Sequence, residues 1–116
     1  MSYIPRQRDI VWIDFDPAKG YEIKKRRPAV IISSSKYNLA TKYCIVCPIT
    51  NGTHRNNPAY YTLNDYETDG QVITLQVRTL DYSDRGKRKI QYIETLEKED
   101  FLQIYQRVQL TLELDD

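Results

Sequence analysis

The chain has 116 residues, and its 17 Lys and Arg residues against 16 Asp and Glu leave a formal net charge of only +1. This length fits a single domain spanning residues 1–116. The balanced charge excludes a chain that is basic throughout, so any nucleic-acid site must be a local patch. The sequence has no signal-peptide pattern and no run of about 18 apolar residues, which predicts a cytosolic protein.

Short apolar or alternating runs predict strands along most of the chain. These strands cover residues 10–15, the segment after Pro28, and residues 42–50, 59–63 and 71–77, with 78–81 following directly and a short basic strand at 89–93. Ser33, Ser34 and Ser35 favour a break that contains one helical turn, because serine is a good helix cap.

Cys44 and Cys47 have the C-x-x-C spacing but lie in a strand-like apolar segment. Residues three apart on a strand face opposite ways, so this pair is predicted to pack in the core rather than to share a metal or a disulfide. With one histidine in the chain, no metal site and no cofactor is expected.

In the last segment the spacing of apolar residues changes from a strand period to a helical period. Apolar residues follow one helical face at Phe101, Ile104, Tyr105, Val108 and Leu112. Thr95 is expected to cap this helix. The pattern as a whole predicts a mainly β fold, a small and strongly curved antiparallel sheet or open barrel followed by a C-terminal helix.

A charged loop at residues 20–27 runs directly into a buried strand. Pro28 restricts the backbone of Arg27 to extended geometry, so this guanidinium starts from a rigid position at a strand entrance. Residues 30–32 indicate a strand that is buried on both faces. A rigidly held arginine suits phosphate binding, although residues 24–27 can equally be a solvated basic loop.

The sequence has no pattern for enzymes that need metal ligands, a Gly-rich phosphate loop or a histidine pair. RNA transesterification remains, because its nucleophile, the ribose 2′-OH, belongs to the substrate and the protein need only align it and stabilise charge. Arg27 is a candidate for charge stabilisation, and Thr50 for holding a phosphoryl oxygen. The ten tyrosines offer surfaces on which bases can stack, although most tyrosines in β-rich proteins simply pack.

An ordered set of segments resembles the MazF/PemK toxins of type II toxin-antitoxin systems: residues 9–20, Glu22, 27–30, 37–38, 48–50, 69–70 and 76–81. The resemblance implies an SH3-like barrel with a C-terminal helix that works as a homodimer. It also implies a metal-independent endoribonuclease that cuts single-stranded mRNA and leaves 2′,3′-cyclic phosphate and 5′-hydroxyl ends. Such toxins are neutralised by an antitoxin whose acidic tail occupies the RNA groove.

The resemblance makes Arg27 and Thr50 the catalytic pair. Glu22 is the hypothetical base that takes the 2′-OH proton, or else an ion-pair partner that only holds Arg27. Arg78 either lines the RNA groove or braces the turn at Asp81. The expected RNA-binding set is Lys19, Tyr21, Lys25, Arg26, His54, Arg55, Gln76 and Arg78.

Two other function classes remain open. A gyrase poison of the CcdB type shares the barrel and the dimer but acts by protein binding, and it relies on apolar and aromatic C-terminal residues that this chain lacks. A non-catalytic RNA-binding barrel would use the basic loops only to hold phosphates, with salt-dependent binding and no cleavage. The endoribonuclease toxin is the preferred interpretation, chiefly because of the resemblance.

Overall fold

A computed structural model describes residues 3–52 and 56–115 of the chain. Its elements in chain order are β1 (Asp9–Asp14), β2 (Arg26–Ile31), α1 (Ser35–Thr41), β3 (Tyr43–Thr50), β4 (Tyr60–Thr62), β5 (Gln71–Ile73), β6 (Arg78–Asp81), β7 (Gln91–Thr95) and α2 (Lys98–Leu110), with a 3-10 turn at Asp84–Gly86 before β7. The side chain of Ser34 caps α1 by accepting a hydrogen bond from the Tyr37 backbone, so the predicted helical turn after the serines is confirmed.

The strands form one curved antiparallel sheet in the order β4-β5-β3-β2-β1-β7, and β6 also pairs with β3. β3 therefore has three partners, with β2 along one edge and with β5 and β6 at different ends of the other edge. Within the described residues, β4 and β7 are the two ends of the path and do not pair with each other. The prediction of a mainly β, open curved sheet with a C-terminal helix is confirmed.

Two apolar cores lie on the two faces of the sheet. The helix-side core packs α2 against residues that include Ile10, Val30 and Cys47, whereas the far-side core includes Ile31 and Cys44. Alternation along β2 sends consecutive residues into opposite cores, as predicted for a strand buried on both faces. The two cysteines are buried in different cores, and burial raises the pKa of each thiol to about 12.

Helix α2 is fixed by its buried apolar face and by one carboxylate. Phe101, Ile104 and Val108 are buried. The Asp100 carboxylate accepts hydrogen bonds from the hydroxyls of Tyr61 and Tyr66. Burial, followed by these hydrogen bonds, raises the pKa of each of the two tyrosines to about 12. The helix is therefore attached to β4 and to the loop that follows it.

Both predicted ends of α2 were wrong. The N-cap is Glu97 rather than Thr95. Thr95 is instead the last residue of β7, and its hydroxyl donates to the Asp9 carboxylate at 3.0 Å. At the other end the helix stops at Leu110, so Leu112 lies beyond it and is exposed.

Two strands also differ from prediction. The strand predicted for residues 71–77 ends at Ile73, because the Gln76 N–H donates back to the Ile73 carbonyl at 3.3 Å and turns the chain. The strand predicted for residues 89–93 covers Gln91–Thr95 instead. Lys89 has φ 52, a left-handed backbone that cannot continue a strand. None of the described helices is both long and apolar enough to cross a membrane.

Candidate active site

Arg27 and Thr50 lie at the ends of neighbouring strands. The antiparallel register of β2 and β3 pairs Ala29 with Pro48, and Arg27 and Thr50 each lie two residues beyond this pair, towards the same end of the sheet. Arg27 shares its face of β2 with Ala29 and Thr50 shares its face of β3 with Pro48, since side chains alternate along a strand. The structure thus brings the two predicted catalytic residues to one face at one end of the sheet.

The Arg27 side chain is half-buried, and its Nε–H donates to the Lys24 carbonyl at 2.7 Å. This hydrogen bond fixes the guanidinium through Nε and leaves the two terminal nitrogens as donors for a phosphate. The Thr50 hydroxyl accepts from the Gly52 backbone at 3.2 Å, so its own O–H proton is still available for donation.

Glu22 does not hold Arg27. Its Oε1 accepts a hydrogen bond from the Lys19 backbone at 2.7 Å, and its own N–H donates back to the Lys19 carbonyl at 3.1 Å. The ion pair that the structure gives for the described residues joins Arg85 to Asp81 instead. Glu22 and Lys19 therefore form a local turn within the loop, and the ion-pair alternative for Glu22 was wrong.

The loop between β1 and β2, residues 15–25, is tied back at its base. The Phe15 N–H donates to the Lys25 carbonyl at 2.8 Å, and the Lys25 N–H donates to Asp16 Oδ1 at 2.9 Å. Lys25 has φ 67, a backbone conformation that closes the loop immediately before β2. The Tyr21 side chain, at the far end of the loop, is fully exposed.

Gln76 and Arg78 support this loop. Gln76 Oε1 accepts from the Ile23 N–H at 2.8 Å. An Arg78 terminal nitrogen donates to the Phe15 carbonyl at 2.8 Å, and its guanidinium lies 5.8 Å from the centre of the Phe15 ring. Arg78 does not brace Asp81, whose carboxylate bonds to Ser83 and Arg85.

Arg26 lies on the opposite face of β2 from Arg27. Its guanidinium is 5.4 Å from the centre of the Trp12 ring, and it donates to the Lys89 carbonyl at 3.2 Å and to Gln91 Oε1 at 3.1 Å. Arg26 and Trp12 thus form a fixed cation–aromatic pair at the surface. Two further predicted RNA-binding residues, His54 and Arg55, lie outside the described residues.

A groove of about 590 Å³ lies beside Arg26 and Arg27, and neither Thr50 nor Glu22 is among its described lining residues. One wall carries the cations of Lys25, Arg26 and Arg27 beside Trp12, and the other wall is the segment Glu67–Asp69. A larger cavity of about 760 Å³ adjoins it at Asn51, but none of its described lining residues is charged. The groove is therefore the better site for a phosphate chain.

The sequence analysis missed Trp12 and the acidic wall. Residues 65–70 read as a polar turn, and nothing in that pattern indicates that the turn faces Arg27 across a groove. Only the exposed position of Trp12, on the strand face opposite to Val11 and Ile13, gave a usable signal. The described residues contain no group of His, Cys, Asp and Glu side chains arranged to hold a metal ion.

Comparison with known proteins adds the family. The family model described as "PemK-like, MazF-like toxin of type II toxin-antitoxin system" matches residues 6–112. The Endoribonuclease toxin MazF of Escherichia coli (strain K12) is 37% identical over 87 residues, which are 75% of this chain and 78% of the relative. The Endoribonuclease PemK of Escherichia coli is 28% identical over 99 residues, 80% of this chain and 74% of the relative.

Solved structures agree with this result. The crystal structure of MazF (Form-I) from Deinococcus radiodurans superposes with a TM-score of 0.86 at 27% identity and covers 96% of this chain and 98% of that one. The MazE-MazF (Form-III) structure from the same organism gives 0.80 at 26% identity, covering 95% and 97%. Sequence and fold lead to the same conclusion: the chain belongs to the PemK-like, MazF-like toxins of type II toxin-antitoxin systems.

Proposed function

We propose that this chain is an endoribonuclease toxin that cleaves single-stranded mRNA without a metal ion. The observation that carries the proposal is that Arg27 and Thr50 lie at the same end of the neighbouring strands β2 and β3, where Arg27 also lines a groove together with Lys25 and Arg26. Relatives named as endoribonucleases support the reaction class. The family match disfavours the gyrase-poison alternative.

The reaction is an attack of the ribose 2′-oxygen on the adjacent phosphorus. The P–O5′ bond breaks and the leaving 5′-oxygen takes a proton from solvent water, so the products are a 2′,3′-cyclic phosphate and a 5′-hydroxyl end. Negative charge builds up on the non-bridging oxygens in the transition state. The terminal nitrogens of Arg27 stabilise that charge, and the Thr50 hydroxyl donates to one oxygen and orients the phosphate.

Proton transfer needs a base near the 2′-OH. Glu22 is the carboxylate of the loop that leads into Arg27, and one of its oxygens is engaged by the Lys19 N–H. Its other oxygen is the acceptor for the 2′-OH proton in this scheme. Arg27 remains charged throughout, because a guanidinium does not give up its proton readily.

The basic loop binds the RNA backbone. Lys19, Lys25 and Arg26 contact phosphates, and Tyr21, fully exposed at the loop tip, stacks on a base. His54 and Arg55 belong to the same proposed binding surface. Gln76 and Arg78 serve it indirectly, since their side chains are hydrogen-bonded to the loop.

We also propose that the chain acts as a homodimer and that a MazE-type antitoxin neutralises it. The MazE-MazF complex solved for a protein with the same fold supports the antitoxin, and the homodimer rests on the family resemblance. An acidic, extended antitoxin segment would compete with RNA for the cationic wall of the groove.

The test is incubation of the purified protein with a long unstructured RNA in the presence of EDTA, followed by mapping of fragment ends. We expect 5′-hydroxyl ends at defined sequences. Arg27→Lys keeps the charge but loses the planar fork, and it should cut about 10²- to 10³-fold more slowly. Lys24→Ala is the matched control, because it removes a neighbouring cation while preserving the carbonyl that holds Arg27. Intact RNA across several substrates, or full activity of Arg27→Ala, would overturn the proposal.

A further inference from the structure

The groove beside Arg27 has two walls of opposite charge. Lys25, Arg26 and Arg27 form one wall, and Glu67 and Asp69 belong to the other. The proposed transesterification uses the cations but assigns no role to the two carboxylates. An acidic wall a groove's width away from a phosphate-binding arginine should repel RNA unless something other than phosphate lies against it.

The acidic wall is built rigidly. Glu94 of β7 accepts from the backbone N–H of Glu67 at 3.1 Å and of Thr68 at 2.8 Å, and also from the Thr68 hydroxyl at 2.7 Å. Thr68 is buried. At the end of the segment Gly70 packs so closely on β3 that an added Cβ would lie 2.2 Å from the Thr50 carbonyl oxygen. The wall is therefore fixed to the same strand end that carries Thr50.

The carboxylates of the wall have no partner among residues 3–52 and 56–115. Among the described residues, the structure gives neither Glu67 nor Asp69 a side-chain hydrogen bond or an ion pair, although three cations line the facing wall. Both residues are exposed. Their four oxygens are therefore available as acceptors, and carboxylates offer acceptors only.

We propose that Glu67 and Asp69 select an RNA base that carries an exocyclic amino group, at the nucleotide next to the cleaved phosphate. This inference rests on the proposed endoribonuclease function. Adenine, cytosine and guanine each present an amino group that donates to a carboxylate. Uracil presents one N–H flanked by two carbonyl oxygens, which a carboxylate repels.

The geometry of the groove suits a base lying between the walls. The phosphate occupies the side of Arg27 and Lys25, and the base faces the carboxylates. The Arg26 guanidinium on Trp12 supplies a planar cationic surface, of the kind on which unpaired bases stack. An acidic antitoxin segment would use only the cationic wall and would leave Glu67 and Asp69 without a partner, whereas an RNA base with an amino group supplies a donor for them.

The test compares base selection in four proteins. Wild type, Glu67→Gln, Asp69→Asn and Asp65→Asn each cleave an unstructured RNA pool with all four bases at every position, and the 5′-hydroxyl ends are sequenced. An amide keeps the shape of the carboxylate but adds an NH₂ donor, from which a carbonyl oxygen of uracil can accept a hydrogen bond. Asp65 lies in the same turn but does not line the groove, so Asp65→Asn controls for the charge change.

We expect wild type and Asp65→Asn to disfavour uracil at one position beside the cut. Glu67→Gln or Asp69→Asn should reduce that discrimination by about tenfold, the usual effect of one charged hydrogen bond. Because both sites are exposed, equal melting temperatures are expected for all four proteins.

Each other outcome has a definite meaning. If the wild type cuts RNA but tolerates uracil at every nearby position, or if both variants select bases as the wild type does, the inference fails and the endoribonuclease proposal stands. Absence of cleavage by the wild type overturns both. Tighter binding of an acidic peptide by the variants, without a change in base selection, would assign the wall to a protein interface and overturn the inference.

Discussion

Replacing Gln76 tests whether this side chain supports the β1–β2 loop or contacts RNA. Gln76 Oε1 is the acceptor for the Ile23 N–H, a neutral and half-buried hydrogen bond of 2.8 Å. The net worth of such a bond is about 0.5–1.5 kcal/mol. Gln76→Ala should therefore increase the opening equilibrium of the loop about 2- to 13-fold.

Amide hydrogen exchange measures this opening directly. In Gln76→Ala, the Ile23 amide should exchange faster by that factor, while amides of β3 should keep their protection. Gln76→Glu is the matched control, because a carboxylate still accepts from Ile23. RNA cleavage should weaken in Gln76→Ala through the looser loop.

The result that would refute this reasoning is unchanged exchange at Ile23 in Gln76→Ala. If RNA affinity nevertheless fell, Gln76 would act by touching RNA, and the loop would be held by its other bonds. If Ile23 exchanges more slowly in Gln76→Glu than in Gln76→Ala and neither variant changes cleavage, then the order of the loop does not affect the cleavage rate.

Three further outcomes are expected. Gly70→Ala places a Cβ 2.2 Å from the last carbonyl oxygen of β3 at φ +124, so it should cost roughly 2–4 kcal/mol of folding stability and lower the melting temperature by about 8–16 °C. The control Gly20→Ala has open space around the added Cβ and should cost about 1 kcal/mol, so equal melting temperatures would contradict this. Burial, then a hydrogen bond, raises the pKa of Tyr66 from 10.0 to about 12, so its stabilisation is complete below pH 10 and disappears as the pH rises towards 12. Urea titrations of Tyr66→Phe should show a shallower loss across that window, and an identical slope would argue against it. Burial raises the thiol pKa of Cys44 and Cys47 to about 12, so native protein at about pH 8 should resist a thiol reagent that modifies urea-unfolded protein fully; rapid native modification would show that one core opens.

Features set by local pattern were predictable. The continuous apolar run after Pro28 predicted a strand buried on both faces, and Val30 and Ile31 do enter different cores. The three-residue spacing of Cys44 and Cys47 predicted opposite faces for the same reason. Alternation is a property of the backbone, so it needs no knowledge of the rest of the fold.

Features that depend on distant partners were not predictable. Gln76 and Ile23 are 53 positions apart, and Arg78 and Phe15 are 63 apart. No local period records such bonds, so Gln76 was assigned to the RNA groove, and Arg78 either to that groove or to the turn at Asp81. Thr74 is a further case, since its hydroxyl donates at 2.8 Å to the Ala59 carbonyl, 15 positions away, and no local period records that bond.

Strand β3, with its three partners, separates residues that can be substituted in evolution from residues whose positions are fixed by the sheet. Thr50 is paired with Gln71 of β5 on one edge, and Pro48, two residues before it, is paired with Ala29 of β2 on the other edge, so the sheet limits the movement of this strand end. The neighbouring β1–β2 loop is instead joined to the sheet in part through single side chains, such as Gln76 and Arg78. Substitutions in that loop, apart from Glu22, can accumulate and alter which RNA is bound, while the positions of Arg27 and Thr50 on the sheet are inherited unchanged. A toxin built this way can change its target by drift in its loop without first losing its chemistry.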